Sequence, residues 1–184
     1  MQTFFRTSQL KKSDLIEKYS KDTVEIVTKS YVVNSVSLVD FAFEAIYGYM
    51  LEEQEPELSE SEILKRVRAS WSNDNLIIYF ISTSGIQDDN EGSRRLKQAF
   101  QNYKEYRIIR HSLVHSNGKL EDKHINQIDI MYAESDEARK AKSIKNSPMY
   151  TDRQIVLDMN ILLGSRQFLW LFVTYFYNAI NNYC

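Results

Sequence analysis

Between residues 23 and 51 the chain has no proline and a single glycine, Gly48. A stretch this long without a breaker limits the possible folds more than any other feature, because tight turns and sheet edges lean on those two residues. Within it Val24, Val27, Tyr31, Leu38, Phe41 and Ala45 recur at three- and four-residue steps, the apolar stripe of a long amphipathic helix. Tyr31-Val32-Val33 alone would also suit a strand, but no turn signal flanks it. The scarcity holds over all 184 residues, which include only 5 Gly and 2 Pro. A β-sandwich spends both freely, so the expected fold is all-α, a helical bundle forming one domain over residues 1–184.

Other elements follow from local signals. Residues 1–12 read as a short lead that Phe4, Phe5 and Leu10 would order, and Ser13 and Asp14 as a cap before Leu15-Ile16-Glu17. Residues 52–58, acidic and holding Pro56, read as a linker. Ser59 and Glu62 form a capping-box pattern ahead of Ile63, Leu64, Val67 and Trp71. Residues 72–75 break or restart that helix, and 76–81 form an apolar run compatible with a strand or a buried helix. Residues 82–92 read as a loop, 91–116 as a helix stopped at Gly118, and 119–132 as a shorter helix. Residues 135–150, with Arg139, Lys140, Lys142 and Lys145, read as a mobile, solvated segment or a phosphate-tracking patch. Ile155-Val156-Leu157 reads as extended. Residues 158–181 form a strongly apolar C-terminal helix, interrupted by Asn160, Arg166, Gln167 and Asn178. Its pure apolar run is about half the ~20 residues a membrane span needs, so a buried helix is expected and no membrane partner.

Composition narrows the function classes. The net charge of −2 provides no global cationic field, so nucleic-acid binding would have to rest on a local patch. The single cysteine, Cys184, excludes an intrachain disulfide framework and a cysteine-based zinc site. Together with an N-terminus lacking a signal-type apolar run, it leads to the expectation of a cytoplasmic protein.

The chemistry is concentrated in the run from Arg107 to Gly118, which holds two arginines and two of the three histidines. Arginine presents a planar fork of donors matched to phosphate oxygens, and histidine takes and returns protons near neutrality. Arg110 with His115 is therefore a candidate pair for a phosphodiester. At about 100° per residue these two project roughly 140° apart on a straight helix, whereas His111 and His115 stack on successive turns. Tyr106, Ile109 and Leu113 share the face nearly opposite the histidines. Arg107 and Arg110 lie between the two faces.

Arg110-His111-Ser112-Leu113-Val114-His115, followed by Ser116-Asn117-Gly118, resembles the Arg-x4-6-His motif of HEPN-domain proteins, with histidine where the family usually has asparagine. The likeness is specific over about a dozen residues. It implies a homodimeric helical bundle and a metal-independent endoribonuclease without cofactor, of the kind found in toxin–antitoxin and phage-defence systems. Arg110 and His115 would be the catalytic pair, and His111 a helper that hydrogen-bonds phosphate or shares in proton transfer. RNA would be the substrate, with an antitoxin or regulatory protein as a further partner. Many members of that family are thought to be non-catalytic, so a helical dimer serving as a binding or regulatory module is the competing expectation.

Neighbouring residues carry weaker assignments. Arg107, Ser116, Asn117 and Tyr103 are candidate substrate contacts. Helix capping equally accounts for Ser116 and Asn117, and core packing for Tyr103. His124 is expected to be exposed on a polar helix. Zinc at His111 and His115 would need carboxylates that Ser112-Leu113-Val114 does not supply.

Overall fold

The structure, a computed structural model, describes residues 12–83, 91–133, 144 and 147–181. It is all-α apart from one small hairpin. Helix α1 spans Lys12–Gln54, α2 Glu60–Arg68, α3 Asn75–Thr83, α4 Glu91–His115, α5 Asp122–Ala133 and α6 Met159–Asn181. Strands β1 (Tyr150–Thr151) and β2 (Gln154–Ile155) pair antiparallel between α5 and α6.

The 43 residues of α1 make a rod about 65 Å long at 1.5 Å per residue. Ser13 and Asp14 lie inside its first turn and begin no separate helix, and the expected linker is helical as far as Gln54. The buried side chains of α1 are Thr28, Val32, Val36, Val39, Asp40, Phe43, Tyr47 and Leu51. This corrects the expected face: Val27, Leu38 and Phe41 are exposed. Both sides of α1 carry apolar residues at helical spacing, so spacing alone does not say which side meets the core.

The capping box of α2 forms as its sequence predicts. Ser59 accepts from the Glu62 backbone N–H, and the Glu62 carboxylate accepts from the Ser59 backbone N–H at 2.9 Å. A 3-10 turn at Ser72–Asp74, with Asp74 at φ 60°, redirects the chain into α3, so the apolar run after it is helix and not strand.

The inner sides of α1, α3, α4 and α6 meet around Phe43. Its ring lies 4.2 Å from Phe176, 5.3 Å from Phe172, 5.6 Å from Phe100 and 5.8 Å from Phe80, measured between centroids. Such pairs add roughly 0.5–1.5 kcal/mol each beyond the area they bury. On α4, Tyr106, Ile109 and Leu113 are buried, as their shared face requires.

At the end of α4, Asn117 (φ 49°) and Gly118 (φ 81°) turn the chain left-handed, and the Gly118 N–H reaches back to the Ser112 carbonyl at 2.9 Å. A side chain at Gly118 would be strained by that φ, and its Cβ would come within 2.8 Å of Gln154 Nε2. The hairpin turn places Asp152 and Arg153 both at positive φ, the geometry that fits a two-residue loop to twisted strands.

The expected mobile segment is corrected at its C-terminal end. Ile144, Ser147 and Tyr150 are buried, and the Tyr150 hydroxyl donates to Glu105 at 2.7 Å beside the Tyr132 hydroxyl at 2.6 Å. Residues 1–11 of the expected 1–12 lead, most of the 82–92 loop, and Arg139, Lys140, Lys142 and Lys145 lie outside the described residues.

Candidate functional site

An open cleft of about 560 Å³ lies where α4, α5 and the α2–α3 junction meet. Its lining includes Arg107, Arg110 and His111 from α4, Lys123, His124 and Gln127 from α5, and Trp71 and Asp74. Three of the sequence-derived candidates thus share one wall. His115, Ser116, Asn117 and Tyr103 do not line it.

The arginines are anchored from α1. Arg107 Nε donates to Asp40 Oδ1 at 2.9 Å, and its guanidinium carbon lies 4.0 Å from the centre of the Trp71 ring. Trp71 is itself held by donation from Nε1 to Glu44 at 2.9 Å. Arg110 Nε donates to Ser37 Oγ at 2.7 Å, and its Nη1 lies 3.9 Å from Asp40 Oδ2. Both fork geometries are therefore set in advance, which reduces the side-chain entropy lost when an anion binds. Asp40 also accepts from the Tyr103 hydroxyl at 2.8 Å, so one buried carboxylate organises three groups.

The expectation that Tyr103 contacts substrate is corrected by its position. It is 0% exposed and spends its hydroxyl on Asp40 and the Val36 carbonyl. Burial, and then the neighbouring Asp40 charge, push that phenol far above the ordinary tyrosine range, so it stays neutral.

The histidines form a second group. The His111 and His115 rings stand 4.6 Å apart, as their i,i+4 spacing requires, and His124 meets His111 edge-on at 5.2 Å. His124 is only 6% exposed, which corrects the expectation of an exposed side chain; Nδ1 lies 3.5 Å from Ser112 Oγ on α4. Burial, followed by the adjacent Lys123 charge, lowers the His124 pKa. Desolvation of the His111 ring, and then the neighbouring His115, do the same for His111. Both are therefore neutral at physiological pH. Among the described residues no group of three or more His, Cys, Asp or Glu side chains is arranged to hold a metal ion.

The cleft is cationic only in moderation. Lys104 pairs with Asp74 at 2.6 Å, Lys123 with Glu121 at 2.8 Å, and Arg107 with Asp40. The two lysine pairs, which are partly exposed, are worth about 0.2–1 kcal/mol, so a bound phosphate can recruit their cations at small cost. Arg110, whose hydrogen bond goes to the neutral Ser37 hydroxyl and whose Nη1 lies 3.9 Å from Asp40, is the less fully neutralised of the two arginines.

Outside the cleft, Ser116 Oγ lies 3.5 Å from Glu121, and the Asn117 carbonyl accepts from Gln154 Nε2 at 2.8 Å. Both serve the turn after α4. The contributions of Asp40 and Trp71 were not foreseen. Asp40 had a signal, as the only carboxylate between residues 26 and 43.

No family model, curated protein or solved structure matches this chain. No helix among the described residues is long and apolar enough to cross a membrane.

Proposed function

We propose that the chain is a HEPN-type, metal-independent endoribonuclease, and that the cleft holds the scissile phosphate. One observation carries this reading: Arg107, Arg110 and His111 line a single cleft, with the His115 ring against His111. Arg110, pre-set by Ser37, binds the phosphate and stabilises the charge that develops on it. A neutral imidazole of the His111–His115 pair takes the ribose 2′-hydroxyl proton. The 2′-oxygen attacks phosphorus, the bond to the 5′-oxygen breaks, and the protonated partner imidazole returns a proton to that leaving oxygen. The products are a 2′,3′-cyclic phosphate and a free 5′-hydroxyl. Positioned proton transfer of this kind contributes roughly 10²–10⁴ in rate. DNA, lacking the 2′-hydroxyl, is spared.

The proposed assembly is a homodimer in the cytoplasm. Its support is a row on α6 at positions 159, 163, 166, 170, 173 and 177, the alternating four- and three-residue spacing of a coiled-coil seam. Met159, Leu163, Trp170, Val173 and Tyr177 of that row are exposed, with Arg166 the one charge among them. Two copies meeting there would bury an apolar face that one copy leaves in water.

A second reading, a non-catalytic module that binds RNA or a regulatory or antitoxin-like protein, is favoured by the engagement of both arginines with Asp40 and Ser37. Incubation with total RNA in EDTA separates the two. The enzyme reading expects cleavage by the wild type, lost in His111→Ala and His115→Ala. Binding without cleavage supports the module.

A further inference from the structure

The cleft offers more than a phosphate requires. From Lys104 to His111 its α4 wall is eight residues long, a rise of about 10 Å at 1.5 Å per residue. Part of its lining is polar, including Arg110, His111, Lys123 and His124. Elsewhere the lining includes Ile108, Ile130 and Met131. Ile130 is largely exposed on α5, although it sits in a cleft otherwise rich in charge. An apolar wall beside fixed cations suits a ligand with flat apolar faces and a charged end.

Arg107 supplies the matching surface. The Trp71 ring centre lies 4.0 Å from its guanidinium carbon, and Asp40 fixes Nε. Arg107 also lines the cleft and is partly exposed, so its side chain is accessible to a ligand there. A planar guanidinium held in this way is a stacking platform for a nucleobase. Gln127, also in the lining, carries an amide with donors and an acceptor that can read a base edge.

We infer that the cleft contains a nucleobase subsite: the base stacks on the Arg107 guanidinium against Ile108 and Ile130, while the attached phosphate lies at Arg110 and His111. The inference rests on the phosphodiester reading of the cleft and specifies the ligand as a ribonucleotide, recognised through its base as well as its phosphate. Arg107 is then a base-binding residue, and Arg110 the phosphate-binding one.

The test compares adenosine 5′-monophosphate with ribose 5-phosphate by chemical-shift titration of the full chain. Stacking of one base corresponds to roughly a tenfold gain in affinity. The wild type should bind the nucleotide about tenfold more tightly than the sugar phosphate. In Arg107→Lys, which keeps the charge beside Asp40 but loses the plane, the ratio should fall toward one with ribose 5-phosphate binding retained. Ile130→Ser, at an exposed position where folding is not at stake, should lower the ratio in the same direction. Equal binding of both ligands by the wild type would overturn the base subsite and leave the phosphate site standing. An undiminished ratio in Arg107→Lys would overturn the role of Arg107. If neither ligand binds, the phosphate reading of the cleft falls, and the subsite with it.

Discussion

Helices α1 and α4 are both long and both carry apolar residues at helical spacing, yet only one shows its inner side in the sequence. On α4 the residues opposite Tyr106, Ile109 and Leu113 are charged or titratable, so one side is marked for water. On α1 the side facing out carries Ile26, Leu38, Phe41 and Tyr49, chemically the same set as the side facing in. Polarity on the outer side makes a helix readable, and its absence leaves two equivalent choices. The outer side of α1 resembles the outer row of α6 in this respect. Both are faces that a single copy of the chain leaves uncovered.

The sharpest test of that contrast uses two phenylalanines two residues apart. Phe43 is 2% exposed and Phe41 is 68% exposed. Phe43→Ala is expected to cost about 3–5 kcal/mol in urea unfolding, through lost transfer energy and the cavity left among the aromatic rings. Phe41→Ala should stay within about 0.5 kcal/mol in the monomer. Similar losses at the two positions would mean that the outer side of α1 is covered.

The next effect concerns the link between the two helices. Asp40→Ala removes the acceptor of Arg107 Nε and one of the two acceptors of the buried Tyr103 hydroxyl, at about 1–3 kcal/mol. RNA affinity should fall with it, because Arg107 loses its anchor, while Arg110 keeps its bond to Ser37. Tyr103→Phe removes one hydroxyl and should cost about 1 kcal/mol while leaving cleavage intact, since the residue is buried and does not line the cleft. Loss of cleavage at normal stability would return Tyr103 to the site.

The smallest effect is on pH dependence. The folded-state pKa of His124 is lowered by burial and by Lys123. Above the ordinary histidine value near 6.5, folded and unfolded chains both hold the ring neutral, and the group adds no pH dependence. As pH falls below it, the unfolded chain binds the proton first and stability declines. The decline levels off below the folded pKa. His124→Gln should flatten this acid limb, and the unfolding midpoint measured between pH 7 and 5 reads it out. His111 is shifted in the same direction. If it is the catalytic base, the acid limb of kcat/KM should fall below 6.5.

Legibility in the sequence followed the same contrast. The helical class, the Ser59–Glu62 capping box, the stop at Gly118 and the outward side of α4 each rest on a local signal, and each is found. Features that depend on partners distant in the chain were not legible. The burial of His124 comes from packing α5 onto Ser112, and that of Tyr103 from a hydroxyl matched to Asp40, 63 residues away. The Asp152-Arg153 turn lacks the usual glycine or asparagine, so only the pairing of its strands reveals it. The spacing of Arg110 and His115 was informative in a negative sense. Their wide projection shows that one straight helix does not bring the two together, and of the pair only Arg110 lines the cleft, beside His111.

Cleavage of RNA at this cleft by His111 and His115, as proposed, is open to direct measurement. Its most direct measurement is incubation of total RNA in EDTA with the wild type, His111→Ala and His115→Ala, followed by chemical analysis of the product ends. The account expects fragments with 2′,3′-cyclic phosphate and 5′-hydroxyl ends from the wild type, and a loss of roughly 10²–10⁴ in rate for each variant at unchanged helicity. Full activity in both variants, or cleavage that appears only when a divalent metal is added, would contradict it.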